Sequence, residues 1–239
     1  MWKFLFEFCD FVFAIIPVKK WRNYLHERVL FDYRKKLNAL LRKYPNLSKN
    51  HMRLAKGGGS LVFIFNNKFT FKVRKYKHET TNFDRFYHEK RITDALRDFC
   101  TITIPNIEFI DLDGFTFYKS DFIPGKLLVS IPTHRIKKYQ NQISKQLAEF
   151  IYKKSFANPP ELKDIRGETR PDFTWNHNDM CSNILIDPKT MVITGIIDWE
   201  WANYSPLDKE FNGLVRVRKK MQKIGLDQST KEYYLKLVK

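Results

Sequence analysis

The apolar and polar positions divide the chain into an apolar opening, a helical stretch, two hairpin patterns and a mixed C-terminal part. Met1 to Ile16 is almost wholly apolar. On a helical wheel Lys3, Glu7 and Asp10 share one narrow stripe, and Trp2, Phe4, Leu5, Phe8, Phe11, Val12 and Ile15 fill the rest. The run is too short and too charged to span a bilayer, ends at Pro17, and lacks the uncharged core and cleavage site of a signal peptide. A helix this apolar is either buried against protein or laid into a membrane interface. The basic-aromatic cluster Lys19-Lys20-Trp21-Arg22 behind it suits anionic headgroups, and the sequence leaves both options open. From Trp21 to Tyr44, Leu25, Val29, Tyr33, Leu37, Leu40, Leu41 and Tyr44 recur at helical spacing, and Pro45 with the polar NLSKN stretch ends them. A boundary between this extension and the main domain is expected near residue 50.

A period of two then takes over. Gly57-Gly58-Gly59-Ser60 leads into Leu61 to Phe65, Asn66-Asn67 makes a turn, and Phe69 to Arg74 returns, which is a β-hairpin with a glycine-rich entry. Glycines there let backbone amides approach phosphate oxygens without an intervening Cβ, although most such clusters are ordinary turns. Alternation puts Lys72 on the strand face opposite Phe71 and Val73. Glu89 lies in FYHEKRITDAL, whose Phe86, Ile92 and Leu96 spacing reads as a helix. A strand lysine positioned by a helix glutamate is how kinases hold ATP phosphates, whereas a solvated lysine and an unrelated glutamate is the plainer alternative. Leu112 to Gly125 shows a DG turn, a strand and a Pro-Gly stop, consistent with a linker at Ser120 to Gly125 or with a simple hairpin.

Thr174 to Trp201 carries the most chemistry. Apolar runs Ile184 to Ile186 and Met191 to Ile197 flank the turn Asp187-Pro188-Lys189-Thr190. His177, Asn178, Asp179 and Asn183 precede the first run, and Asp198 follows the second. An antiparallel pairing brings those ends together, so Asp179, Asn183 and Asp198 are expected to converge. Two carboxylates and an amide oxygen form a hard-oxygen site suited to Mg²⁺, with one carboxylate left to accept a proton from a hydroxyl. Reading His177, Asp179 and Cys181 as zinc ligands fails for want of a second His/Cys cluster at a usual spacing. A structural hairpin with incidental acidic ends is the bland alternative.

Composition changes the picture in two ways. With 43 Lys and Arg against 26 Asp and Glu, the formal net charge is +17, which suits work beside something anionic. No nucleic-acid motif accompanies that charge. Cys9, Cys100 and Cys181 lie far apart with no CxxC spacing, so a reduced compartment is expected rather than a disulfide framework. At 239 residues and 43% hydrophobic, the chain suits one large domain or two closely packed lobes.

His177-Asn178-Asp179, the downstream Asn183, the apolar hairpin and Gly195-Ile-Ile-Asp-Trp-Glu-Trp-Ala202 resemble the aminoglycoside phosphotransferase and choline kinase group of the protein-kinase-like fold. The match is strong over about residues 174 to 208 and weaker back to about Gly57. The resemblance implies an α+β, bilobal fold. Its antiparallel-sheet N-lobe would span about 51–119, its hinge 120–125 and its mainly helical C-lobe 126–239, behind an N-terminal helical extension over 1–50. It implies an ATP- and Mg²⁺-dependent kinase with Asp179 as catalytic base and Asn183 and Asp198 as Mg²⁺ ligands. Lys72, paired with Glu89, would join Gly57, Gly58, Gly59 and Ser60 at the phosphates, and Ser120 and Phe122 would lie at the adenine. His177 would orient the loop, with Trp199 and Glu200 in support. The family generally places its Asn five residues after the Asp; here the spacing is four. A pseudokinase that binds nucleotide without turnover therefore stays open.

No long activation segment follows Asp198, so a non-protein acceptor is expected, and the few residues after Asp208 imply an acceptor site open on one side. The extension and size also resemble bacterial lipopolysaccharide-core sugar kinases. The leading acceptor is a sugar hydroxyl of an anionic surface glycolipid or polysaccharide; a small alcohol such as choline or an aminoglycoside is the alternative. A cytoplasmic location follows, with peripheral contact on the inner face of the membrane if the first helix is an anchor.

Overall fold

A computed structural model describes residues 32–56, 59–75, 85–167, 170–215 and 219–239. The expectations for the Met1 to Ile16 helix, for Gly57 and for Gly58 lie outside these residues. The chain forms two compact units, one built from residues up to 79 with 109–119, the other from 80–108 with 120–239.

The first unit is a sheet backed by a helix. Helix α1 (Tyr33–Lys43) precedes a 3₁₀ turn at Lys49–His51, whose Ser48 hydroxyl accepts the Asn50 amide at 3.2 Å. Strands β1 (Met52–Lys56), β2 (Ser60–Phe65), β3 (Phe69–Arg74), β4 (Glu108–Leu112) and β5 (Phe115–Asp121) order as β1-β2-β3-β5-β4. The first two pairings are antiparallel. Asn66 and Asn67 turn β2 into β3 at φ 54° and 52°, and Asp113 and Gly114 turn β4 into β5 at 52° and 74°. Two successive positive φ values are what a tight hairpin needs to match strand twist, and Asn, Asp and Gly adopt them at least cost.

Leu37, Ala39 and Leu40 of α1 share one core with Phe63, Phe65, Phe71, Val73, Phe115 and Phe117. The expected boundary near residue 50 therefore does not separate two cores: the sheet face is apolar at every second position and takes α1 as its cover. Lys36 is buried in this layer and donates to the carbonyls of Arg74 and Lys75, each at 2.8 Å. Burial lowers its pKa to about 8, against a partial opposing pull from Asp32.

The second unit is mainly helical. Helix α2 (Arg85–Leu96) belongs to it, because Ile92 and Leu96 pack into its core rather than beneath the sheet. Strand β6 (Lys126–Leu127) leads to helices α3 (Thr133–Lys138), α4 (Gln140–Ser155) and α5 (Lys163–Arg166). Strands β7 (Phe173–Asn176), β8 (Ile184–Ile186), β9 (Ile193–Ile196) and β10 (Asn203–Pro206) follow, then α6 (Asp208–Gly213), α7 (Lys219–Ile224) and α8 (Leu226–Val238). The strands form two small sheets, β6-β8-β9 and β7-β10. Ile143, Leu147, Phe150 and Ile151 of α4 meet Ile184, Ile186 and Ile196 and the fully buried Trp175 and Trp199 in the core.

The β8–β9 hairpin is shorter than its apolar pattern. Met191 adopts φ 58°, donates to the Asp187 carbonyl at 2.8 Å and so joins the turn. Two glycines set the sheet's edges. A Cβ on Gly195 would stand 2.5 Å from Ile123 Cγ2, and one on Gly125 (φ +142°) would stand 2.6 Å from Thr194 Oγ1. Both positions require close backbone approach.

Candidate active site

Strand β7 ends at Asn176, and the chain runs through His177 and Asp179 into a 3₁₀ turn, Met180–Ser182, before β8. The Ile184↔Ile196 pairing continues outward, so the Ile197 amide donates to the Asn183 carbonyl at 3.1 Å. Asp198 thus stands one residue from the backbone partner of Asn183. The Asn183 side-chain amide donates to the Asp179 carbonyl at 2.8 Å and to its carboxylate at 3.2 Å. The 3₁₀ turn closes the gap of four residues, with the Asn183 amide donating to Met180 O at 2.9 Å. Asn183 is therefore in contact with Asp179, and the backbone at Asp198 follows directly on the Asn183 pairing.

His177 lies beneath these groups with no exposed surface. Its Nε2 contacts the Ile197 carbonyl at 2.9 Å, so that nitrogen must carry the proton, and Nδ1 accepts the Asp179 amide at 3.3 Å. One ring thereby ties the residue before Asp198 to Asp179 itself. Burial pushes its pKa below the usual value, while Glu210, Asp198 and Asp179 pull the other way. With both nitrogens committed to backbone, His177 has no lone pair for a metal, which removes the zinc reading.

The left-handed region is used twice here, by Asn178 at φ 64° and Asp198 at φ 67°. Asn178 donates to the Trp201 carbonyl at 2.8 Å, holding the segment after Asp198. Strain at two residues flanking one point is characteristic of functional sites. From α2, Glu89 accepts the Trp199 amide at 3.1 Å and His88 meets the Ala202 carbonyl at 2.6 Å. Glu89 is completely buried and braces the Asp198 segment, a role distinct from the Lys72 partnership expected from sequence.

Several anchors carry no sequence motif. Asn176 donates to Ser205 O, Ser205 Oγ and Pro206 O at 2.8 to 2.9 Å, clamping β7 to β10. Glu210 of α6 accepts the His177 amide at 2.8 Å, and Lys154 of α4 pairs with Glu210 at 2.8 Å while donating to the Trp175 carbonyl. Charged residues are usually solvated, and nothing local marks Lys154 or Glu210 as buried.

The donor set fits a hard cation. Asn183 spends its N–H groups on Asp179, which leaves its carbonyl oxygen free to accept, and Asp179 and Asp198 are both half-buried. In the sheet unit, Lys72 stands on the face away from buried Phe71 and Val73, its ammonium 5.5 Å from the Tyr118 ring. Ser60 is buried opposite Arg74, and Gly59 is exposed, with its carbonyl accepting the Lys75 amide at 3.0 Å. Ser120 is buried near the end of β5 and Phe122 is half-buried just beyond it.

No family model and no curated protein matches this sequence. Solved structures do. An aminoglycoside 2'-phosphotransferase-IIIa in its GDP complex superposes with a TM-score of 0.63 at 16% identity, covering 84% of this chain and 82% of that one. This chain has the protein-kinase-like fold of that structure. The streptomycin–ATP ternary complex of APH(2")-IIa gives 0.60 at 14% identity (84% and 83% covered). The apoenzyme of macrolide 2'-phosphotransferase MphH from Brachybacterium faecium gives 0.62 at 12% (84% and 83%). The antiparallel sheet and helical region of the fold are both present, as the resemblance implied.

Proposed function

We propose that the protein is an ATP- and Mg²⁺-dependent phosphotransferase acting on a hydroxyl of a non-protein, saccharide-bearing acceptor. The observation that carries this reading is the contact of Asn183 with Asp179, beside Asp198, at the open end of one hairpin. In this reading Asp179 accepts the proton of the acceptor hydroxyl, and the Asn183 and Asp198 oxygens hold Mg²⁺, which would neutralise phosphate charge. The 2.8 Å bond from Asn183 to the Asp179 backbone fixes the loop, and the 3.2 Å bond turns the carboxylate. His177 keeps the two segments in register through its two backbone bonds. Gly57, Gly58, Gly59, Ser60 and Lys72 are assigned to the nucleotide phosphates, and Ser120 and Phe122 to the base. Trp199 and Glu89 are positioning groups for Asp198, because the Glu89 carboxylate holds the amide next to it.

For the acceptor, we favour a sugar hydroxyl of an anionic surface glycoconjugate, since the chain carries a net charge of +17. A soluble aminoglycoside is the second reading, favoured by the names of the structural relatives. Transfer of labelled phosphate from ATP to a panel of core oligosaccharides, lipid-linked sugars, choline and aminoglycosides tests both. Label on the anionic saccharides supports the first reading, label on aminoglycosides the second, and no Mg²⁺-dependent transfer to any member overturns the enzyme reading.

A further inference from the structure

Two stretches far apart in sequence hold no acidic residue at all. Residues 126–148 and 211–226 together carry ten Lys and Arg and no Asp or Glu, against 43 and 26 in the whole chain. Neither stretch is conspicuous alone, because the protein is basic throughout. The fold brings them together. Helix α3 packs on α7, Lys220 of α7 donates to the carbonyls of Val129 (3.2 Å) and Ile131, and Gln140 of α4 donates to Ile224 O at 2.9 Å. His134, Lys137 and Lys138 on α3, Lys145 on α4, and Lys219 and Lys223 on α7 are exposed on this composite surface. None of those lysines makes an ion pair among the described residues.

Clustered cations that make no ion pair repel one another, so such a face is less costly when an anion rests on it, even with Glu149 and Asp227 bordering it. Its position suggests which anion. The 3₁₀ turn Leu128–Ser130, immediately before α3, packs on the 3₁₀ turn Met180–Ser182, immediately after Asp179. We propose that the joined α3–α7 face binds phosphate or carboxylate groups on the acceptor saccharide, holding it beside the Asp179 loop. This rests on the phosphotransferase reading and narrows its acceptor to an anionic sugar. A polycationic acceptor such as an aminoglycoside would be repelled by the same lysines.

The test combines Lys137→Glu, Lys138→Glu, Lys219→Glu and Lys223→Glu in one protein. A control combines Lys43→Glu, Lys49→Glu, Lys68→Glu and Lys189→Glu, exposed lysines elsewhere, for the same change in net charge. Binding is measured without ATP to an oligosaccharide bearing two phosphomonoesters, to its dephosphorylated twin, to vesicles containing phosphatidylglycerol, and to a single-stranded oligonucleotide. The wild type should prefer the phosphorylated sugar over its twin, and the α3–α7 variant should lose about tenfold or more of that affinity while the control stays within about twofold. Equal losses in both variants, or equal binding of the two sugars, would overturn the proposal. Face-dependent binding of vesicles or of the oligonucleotide, without binding of the phosphorylated sugar, would overturn it in favour of a membrane or a nucleic acid. Because this readout needs no turnover, face-dependent sugar binding by a protein that transfers no phosphate would sink the enzyme reading alone.

Discussion

Lys154 and Glu210 face each other at 2.8 Å with no exposed surface on either side chain. Their remaining bonds go to consecutive parts of one strand and loop, Lys154 to the Trp175 carbonyl and Glu210 to the His177 amide. Two helices, α4 and α6, thus fix the backbone from which Asp179 projects. A buried pair contributes little net stability over apolar packing, but breaking it leaves a charge stranded. Lys154→Met should therefore destabilise the protein by about 3–5 kcal/mol in urea unfolding, and Lys154→Met with Glu210→Leu by clearly less. A single variant no worse than the double would show that the pair is not coupled.

Stability should fall in mild acid. His177 and His88 both have pKa values held below the usual 6.5 by burial. The unfolded chain binds protons there more readily than the folded one, so stability is full above about pH 6.5 and is lost as pH drops below it. Thermal unfolding between pH 7.5 and 5.5 should show this fall, and His88→Gln should make it shallower. A flat profile would contradict the lowering of both pKa values by burial.

Gly125→Ala should cost about 1–3 kcal/mol. The new Cβ meets Thr194 Oγ1 at 2.6 Å and the Ile186 amide at 3.1 Å, at a φ of +142° that side-chain-bearing residues rarely adopt. Thr194→Ala in the same background should recover only part of the loss, because the backbone contact and the φ remain. Full recovery would place the whole cost on the threonine.

Asp179→Asn should leave nucleotide affinity within about twofold and reduce turnover by roughly 10² to 10⁴, the usual contribution of a positioned base. Its amide still has an oxygen to accept from Asn183, so the loop should stay in place. Phosphotransfer at the wild-type rate would remove Asp179 from the chemistry.

Asp198→Ala should abolish the thermal shift caused by ATP with Mg²⁺ while leaving the protein folded. Because Ala accepts the left-handed φ of 67° less readily than Asp, the unligated Tm should fall slightly. An undiminished shift would argue that the metal ligands lie elsewhere.

Local chemistry made much of this molecule readable. Asn66-Asn67 and Asp113-Gly114 dictated their hairpin turns, because few other residues accept consecutive positive φ. The apolar runs around Asp187 dictated the hairpin that unites Asn183 with Asp198, because antiparallel pairing fixes which ends meet. What no local pattern encodes is which charges leave water. Nothing local marks Lys36, Lys154 or Glu210 as buried, and only packing from distant elements supplied the carbonyls, amides and counter-charges that let them leave water. The meeting of two acid-free stretches, 126–148 and 211–226, likewise belongs to tertiary structure, since a surface field sums charges by distance in space and not along the chain.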